Sequence, residues 1–111
     1  MRLHHRKALN ELFEQGKGKT VFPLRVLSHE SDALPHQVVF VVPKRRIPHA
    51  VTRNHIRRKL REIYRQHQHL LAKLPPHHFA FVYLDKHPSP TYNKLEKAMQ
   101  GLIVSLIEPK P

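Results

Sequence analysis

The chain has 111 residues, enough for one buried core but not two. Its 40% hydrophobic and 25% charged content is that of a globular domain, here read as a single domain over residues 1–111. Twenty Lys and Arg against eight Asp and Glu leave a formal net charge of +12, which suits a surface that meets a polyanion. With no cysteine there is no disulfide scaffold or thiolate nucleophile, and a structural zinc site is disfavoured. No apolar run approaches the roughly 18 residues of a membrane span, and the basic N-terminus lacks the apolar core of a secretory signal. The expectation is a soluble, cytoplasmic protein with no membrane partner.

Residues 2–15 read as a helix with Leu3, Leu9, Leu12 and Phe13 on one face, and Gly16 and Gly18 supply its stop. Residues 20–29 and 37–43 read as strands. The run Val38-Val39-Phe40-Val41-Val42 has the pattern of a strand buried on both faces. Residues 30–35 form the turn between them. A long helix is predicted from Pro48, placed at its first position, to about Lys73, with Ile56, Leu60, Ile63 and Leu70 or Leu71 as its apolar stripe. Leu74 before Pro75-Pro76 ends it. A further strand follows at Phe79–Leu84. Ser89-Pro90-Thr91 starts a last helix striped by Leu95, Met99, Leu102, Ile103 and Leu106. Helix, two or three strands, helix, strand, helix predicts an α+β fold, one sheet with helices packed on it as an α/β sandwich.

Chemistry is concentrated between Lys44 and Arg65. Nine cations (Lys44, Arg45, Arg46, Arg53, Arg57, Arg58, Lys59, Arg61 and Arg65) share these 22 residues with one acid, Glu62, and the segment's net +8 is two thirds of the total. Arg53, Arg57 and Arg61 recur every four residues and line one helical face, a row of about 12 Å. Arg58 and Arg65 widen the band, and Asn54 lies beside it. Guanidinium forks favour bidentate phosphate contacts. Like charges at this spacing destabilise a helix unless something neutralises them, so a nucleic acid is a better reading than an idle solvated face.

The eleven histidines, including His4-His5, His67-x-His69 and His77-His78, have no carboxylate or thiolate at ligand spacing. They read as surface residues that add charge in mild acid, with no metal held by the protein. No carboxylate pair, nucleophile motif or acidic cluster suggests a catalytic site in the chain. Among the aromatics core packing is the default. Phe13 and Phe22, flanking the Gly-containing turn, are the candidates to stack an unpaired base.

Pro43-Lys44-Arg45-Arg46, followed by Ala50-Val51-Thr52-Arg53-Asn54-His55-Ile56-Arg57-Arg58-Lys59-Leu60-Arg61-Glu62, resembles the signature of the protein subunit of bacterial ribonuclease P. That signature is a basic pair, a spacer, Ala-Val, then Arg-Asn-Arg-x-x-Lys-Arg-x-x-Arg-Glu. Arg2-Leu3, Phe13 and Gly16 also match the family's opening helix and turn, and the resemblance covers nearly the whole chain. It implies four strands and three helices with a left-handed βαβ crossover, against the general right-handed rule. It further implies a subunit that binds a catalytic RNA and the single-stranded 5′ leader of precursor tRNA, one protein monomer per RNA. The RNA would carry out the magnesium-dependent hydrolysis that matures the tRNA 5′ end, so the Mg2+ is expected in the RNA.

Carried over by position, the resemblance assigns Arg53, Asn54, His55, Arg57, Arg58, Arg61 and Arg65 to the catalytic RNA. Phe13 is assigned to the leader, in a cleft between sheet and long helix, and Phe22, Lys44, Arg45 and Arg46 are read with it as leader or substrate contacts. His55 departs from the family's Arg. Leu9 stands where many members have an aromatic, and Leu27 falls near a position often held by Tyr, which weakens stacking here or shifts it to Phe22. The alternative is a ribosomal or other structural RNA-binding protein. A major-groove DNA reader is disfavoured, because a strand rather than a helix precedes the basic helix.

Overall fold

Proline at position 23 has no N–H to give to a sheet ladder, and the chain turns there instead of running on as one strand. The predicted strand 20–29 is therefore two, β1 (Lys17–Val21) and β2 (Leu24–Glu30), joined by Phe22-Pro23 and paired antiparallel from Lys17↔Ser28 to Val21↔Leu24. A computed structural model describes residues 6–32 and 35–108 of the chain. Before β1 comes α1 (Arg6–Gln15), and after β2 come β3 (Gln37–Val41), α2 (Ala50–His67), a 3₁₀ turn (Gln68–Leu71), β4 (His77–Tyr83) and α3 (Tyr92–Ile107). The predicted positions Arg2, Leu3, His4 and His5 lie outside the described residues.

The four strands form one mixed sheet in the order β1-β2-β4-β3. β4 pairs antiparallel with β2 and parallel with β3, so β3–α2–β4 is the crossover unit. β3 is thus an edge strand, and the expectation of burial on both faces is corrected. Val38 and Phe40 enter the core, whereas Val39 and Val41 remain half-buried, because α1 packs over β2 and β4. On the main face Ile56, Leu60 and Ile63 of α2 and Leu95, Met99 and Leu102 of α3 close over Val26, Phe79 and Phe81. Each fully buried side chain of this size contributes roughly 1.5–3 kcal/mol. On the opposite face Leu12 packs with Ala80, and Ala8, Leu9, Leu27 and Val39 adjoin them.

Helix ends follow local chemistry. Thr91 caps α3, its Oγ1 accepting from the Lys94 amide at 3.2 Å. Pro48 is not the first residue of α2, because the Ile47 and Pro48 carbonyls accept from the Arg53 guanidinium at 3.0 and 2.8 Å, which holds this segment outside the helix. At the other end α2 stops at His67 rather than Lys73, and the chain tightens into the 3₁₀ turn that buries Leu71. There the His36 ring bridges two strands of chain. Its Nε2 donates to the Leu71 carbonyl at 2.8 Å and its Nδ1 accepts from the His77 amide at 3.1 Å. Gly16 ends α1 without a left-handed residue, since among the described residues none has positive φ. Its amide donates to the Leu12 carbonyl at 2.9 Å, and an added Cβ would collide with that same oxygen.

Gly16→Ala should destabilise the protein by about 1–3 kcal/mol, read as a lower urea midpoint. An unchanged midpoint would show that the helix end yields freely. A second expectation concerns His78, whose pKa burial pushes below the ordinary value. His29, its cross-strand partner, and His77 also lower it, against the opposing Glu11 and Asp32. The folded chain then binds fewer protons than the unfolded one below about pH 6.5. His78 therefore contributes stability that is complete above that pH and is lost as pH falls towards the folded value. His78→Gln should flatten the fall in urea midpoint between about pH 7 and 5, and an unaltered profile would remove His78 from it.

Candidate nucleic-acid interface

Asn54, Arg57, Arg58, Arg61 and Arg65 are separated by three, one, three and four residues, which keeps them on one side of α2. The other side carries the buried Ile56, Leu60 and Ile63, so docking on the sheet turns the arginines outward. They form one wall of an open cleft of about 770 Å³, and Val38, Val39 and Phe40 of the edge strand form the opposite wall. Tyr64 and Phe40 line its base, Tyr64 meeting Phe40 edge-on, and the buried Phe81 packs behind them with ring centroids 5.8–5.9 Å apart. Burial raises the Tyr64 phenol to about 12, so it stays protonated beside the cationic wall.

The arginines are only lightly committed to the protein. Arg57 donates to the Asn54 Oδ1 at 2.6 Å, which orients both side chains. Arg65 pairs with Glu62 at 3.2 Å, an exposed contact of about 0–1 kcal/mol that a phosphate can displace. Among the described residues Arg58 and Arg61 have no hydrogen-bond or ion-pair partner. The arrangement is a row of guanidinium groups above an apolar and aromatic edge, suited to a sugar-phosphate backbone whose bases face the sheet.

The remaining predicted residues are distributed otherwise. Arg53 is engaged with the loop carbonyls at the helix start. His55 is exposed in a shallow depression of about 220 Å³ with Val51, Asn54 and Arg58, outside the cleft. Lys44, Arg45 and Arg46 occupy the turn after β3, where the Arg46 and Ile47 amides donate to the Pro43 carbonyl at 3.1 Å. Phe13 on α1 and Phe22 between β1 and β2 are 48% and 61% exposed, and neither lines the cleft. Lys59, counted with the basic run, reaches instead to the Pro90 carbonyl at 2.9 Å and ties α2 to the approach to α3.

Tyr64, Phe40 and Gln68 line the cleft but escaped the sequence reading. Tyr64 follows Arg57 by seven residues and Arg61 by three, so a helical projection places it on the border of the charged face. Phe40 carries no such signal, because its place depends on β3 being an edge. Among the described residues no three His, Asp or Glu are grouped to hold a metal ion. His67 meets Glu96 at 3.3 Å between α2 and α3, and the His77 Nδ1 meets the Pro75 carbonyl at 2.6 Å. Among the described residues no helix is long and apolar enough to cross a membrane.

A family model described as Ribonuclease P matches residues 1–106. A ribonuclease P protein component of Porphyromonas gingivalis is 33% identical over 113 residues, covering 95% of this chain and 82% of its own. One from Chlorobaculum tepidum is 35% identical over 74 residues, covering 61% and 48%. The solved RNase P protein of Thermotoga maritima has a TM-score of 0.81 at 19% identity, covering 98% of this chain and 99% of its own. That of Staphylococcus aureus has a TM-score of 0.79 at 15% identity, covering 96% and 94%. At such identities the structural likeness establishes the shared fold.

Arg57→Ala and Arg61→Ala should each remove about one unit from the slope of log K against log salt for binding a structured RNA. Arg53→Ala should instead cost about 1 kcal/mol or more of stability, seen in thermal unfolding, while changing the salt slope less. Equal slope changes for all three would place Arg53 at the interface as well.

Proposed function

The chain belongs to the ribonuclease P protein family, the protein component of an endoribonuclease of tRNA processing, and on that premise we propose how its surface divides the work. The α2 face of Asn54, Arg57, Arg58, Arg61 and Arg65 meets the phosphates of the ribonuclease P RNA, with His55 and Arg53 at its margin. The cleft below that face receives the single-stranded 5′ leader of precursor tRNA. Lys44, Arg45 and Arg46 neutralise leader or substrate phosphates at the start of α2. Phe13 offers a ring to an unpaired base. One protein serves one RNA.

The observation that carries this reading is the cleft itself, where four arginines and one asparagine face an apolar strand edge. Hydrolysis of the phosphodiester bond needs an activated water and stabilisation of the charge that develops on phosphate. We assign that chemistry to magnesium held by the RNA. The donor set of the cleft is guanidinium, which repels a cation, and does not fit Mg2+. The residues of this chain therefore bind, orient and neutralise, and no proton transfer is assigned to them. Arginines that screen phosphate charge let two RNA surfaces approach at lower magnesium concentration.

Reconstitution tests this directly. The protein, a bacterial ribonuclease P RNA and precursor tRNA are combined at low magnesium, and release of the 5′ leader is followed against RNA-only and protein-only controls. Cleavage should be stimulated by the protein with the RNA present and absent without it. Tight binding to other structured RNAs with no stimulation would instead identify a structural RNA-binding protein.

A further inference from the structure

We infer that Phe22 is a base-stacking platform at the end of the sheet, outside the cleft, which takes one unpaired base of an RNA strand that continues past α2. The inference rests on the proposed single-strand binding and extends its path. Phe22 is 61% exposed, the most open aromatic side chain among the described residues. Its backbone is nevertheless held, since Pro23 beside it is buried and its carbonyl accepts from the Leu84 amide at 2.8 Å. The Lys94 ammonium, from the first turn of α3, stands 5.8 Å from the ring centroid and leaves most of the ring surface to solvent.

Topology supplies the rest of the surface. β3 and β4 run parallel, and β2 begins where β4 ends, so the turn at Phe22 shares one end of the sheet with the start of α2. From β3 to β1 that end spans three strand spacings, about 14 Å. Lys44, Arg45, Arg46, Lys86 and Lys94 are brought there by the strand ends and by the first turn of α3, while the Arg25 guanidinium runs back across β1 towards Gly18 and Thr20. Asp85 lies there too, its carboxylate 4.0 Å from the Lys94 ammonium. A strand leaving the cleft at the beginning of α2 passes Lys44–Arg46 and reaches Phe22.

An exposed ring set among cations is the composition of a single-strand platform, because every base has a face to stack and every linkage a charge to neutralise. A base-paired helix offers no such face. An apolar protein partner would bury Phe22, the 39%-exposed Val21 and, at the start of α2, Val51, at the cost of desolvating the cations that surround them. Phe13 precedes β1 and Phe22 follows it, so the two rings are separated by about 17 Å of strand and serve different bases.

The chain has no tryptophan, so Phe22→Trp introduces a single emission probe at the proposed platform. The test titrates it with a labelled oligoadenylate of about ten nucleotides, a usual single-strand site size, reading tryptophan emission and oligonucleotide anisotropy together. Emission should be quenched with the same midpoint as the anisotropy change. Phe22→Ala should bind about five-fold or more weakly at an unchanged urea midpoint, and Phe22→Trp should retain affinity. A duplex RNA of equal length should bind without quenching. Wild-type affinity for Phe22→Ala with no quenching of Phe22→Trp would overturn the platform and leave the cleft reading standing. No binding of the oligonucleotide to the unmodified protein would overturn both.

Discussion

The docking of α2 on the sheet is the constraint from which the binding surface follows. Ile56, Leu60 and Ile63 enter the core, and Tyr64 wedges against Phe40 of β3 and Phe81 of β4. These contacts fix the rotation of the helix about its axis. Once that rotation is set, Arg57, Arg58, Arg61 and Arg65 must face away from the core towards the strand edge. The helix itself is a poor one in isolation, with like charges four residues apart and no side-chain cap at His49. Tertiary burial holds it together, which permits a charged face that local helix energetics would reject.

Polar straps then secure α2 along its length. Arg53 holds the loop carbonyls at its start, Lys59 reaches Pro90 from its middle, and His36 binds the chain just beyond its end to β4. Two cations of the basic run are thereby spent on the fold, and the charge offered to a polyanion is smaller than the composition suggests. Their backbone carbonyl acceptors also explain why these long side chains are held rather than left to solvent. Arg58 and Arg61 occupy the stretch between the first strap and the last, and among the described residues no hydrogen-bond or ion-pair partner holds them.

The sheet order gives the surface its shape. An edge β3 leaves Val39 half-open and, with Val38 and Phe40, supplies the wall opposite the arginines. A central β3 would have been covered, and the basic helix would have presented a convex face without a groove. The same order gathers the basic turn after β3 and the Phe22 turn at one end of the sheet, while Phe13 belongs to the helix that packs on the other face.

The sequence alone determined the local features. A period near 3.6 in Ile56, Leu60 and Ile63, with arginines out of phase, revealed both the helix and its two faces. Thr91 marked the start of α3, and the resemblance carried by Arg53 to Glu62 identified the family. These are legible because capping, periodicity and motif spacing depend on residues a few positions apart. Pro23 was visible as punctuation, but two strands emerged only once Lys17–Val21 found their partners in Leu24–Ser28. The edge position of β3, the role of Phe40 and Tyr64 in the cleft, the use of Arg53 and Lys59 as straps and the separation of Phe13 from Phe22 were decided by tertiary structure. Each depends on contacts between distant segments, whose pairing is selected by burial of the whole core rather than by any local preference.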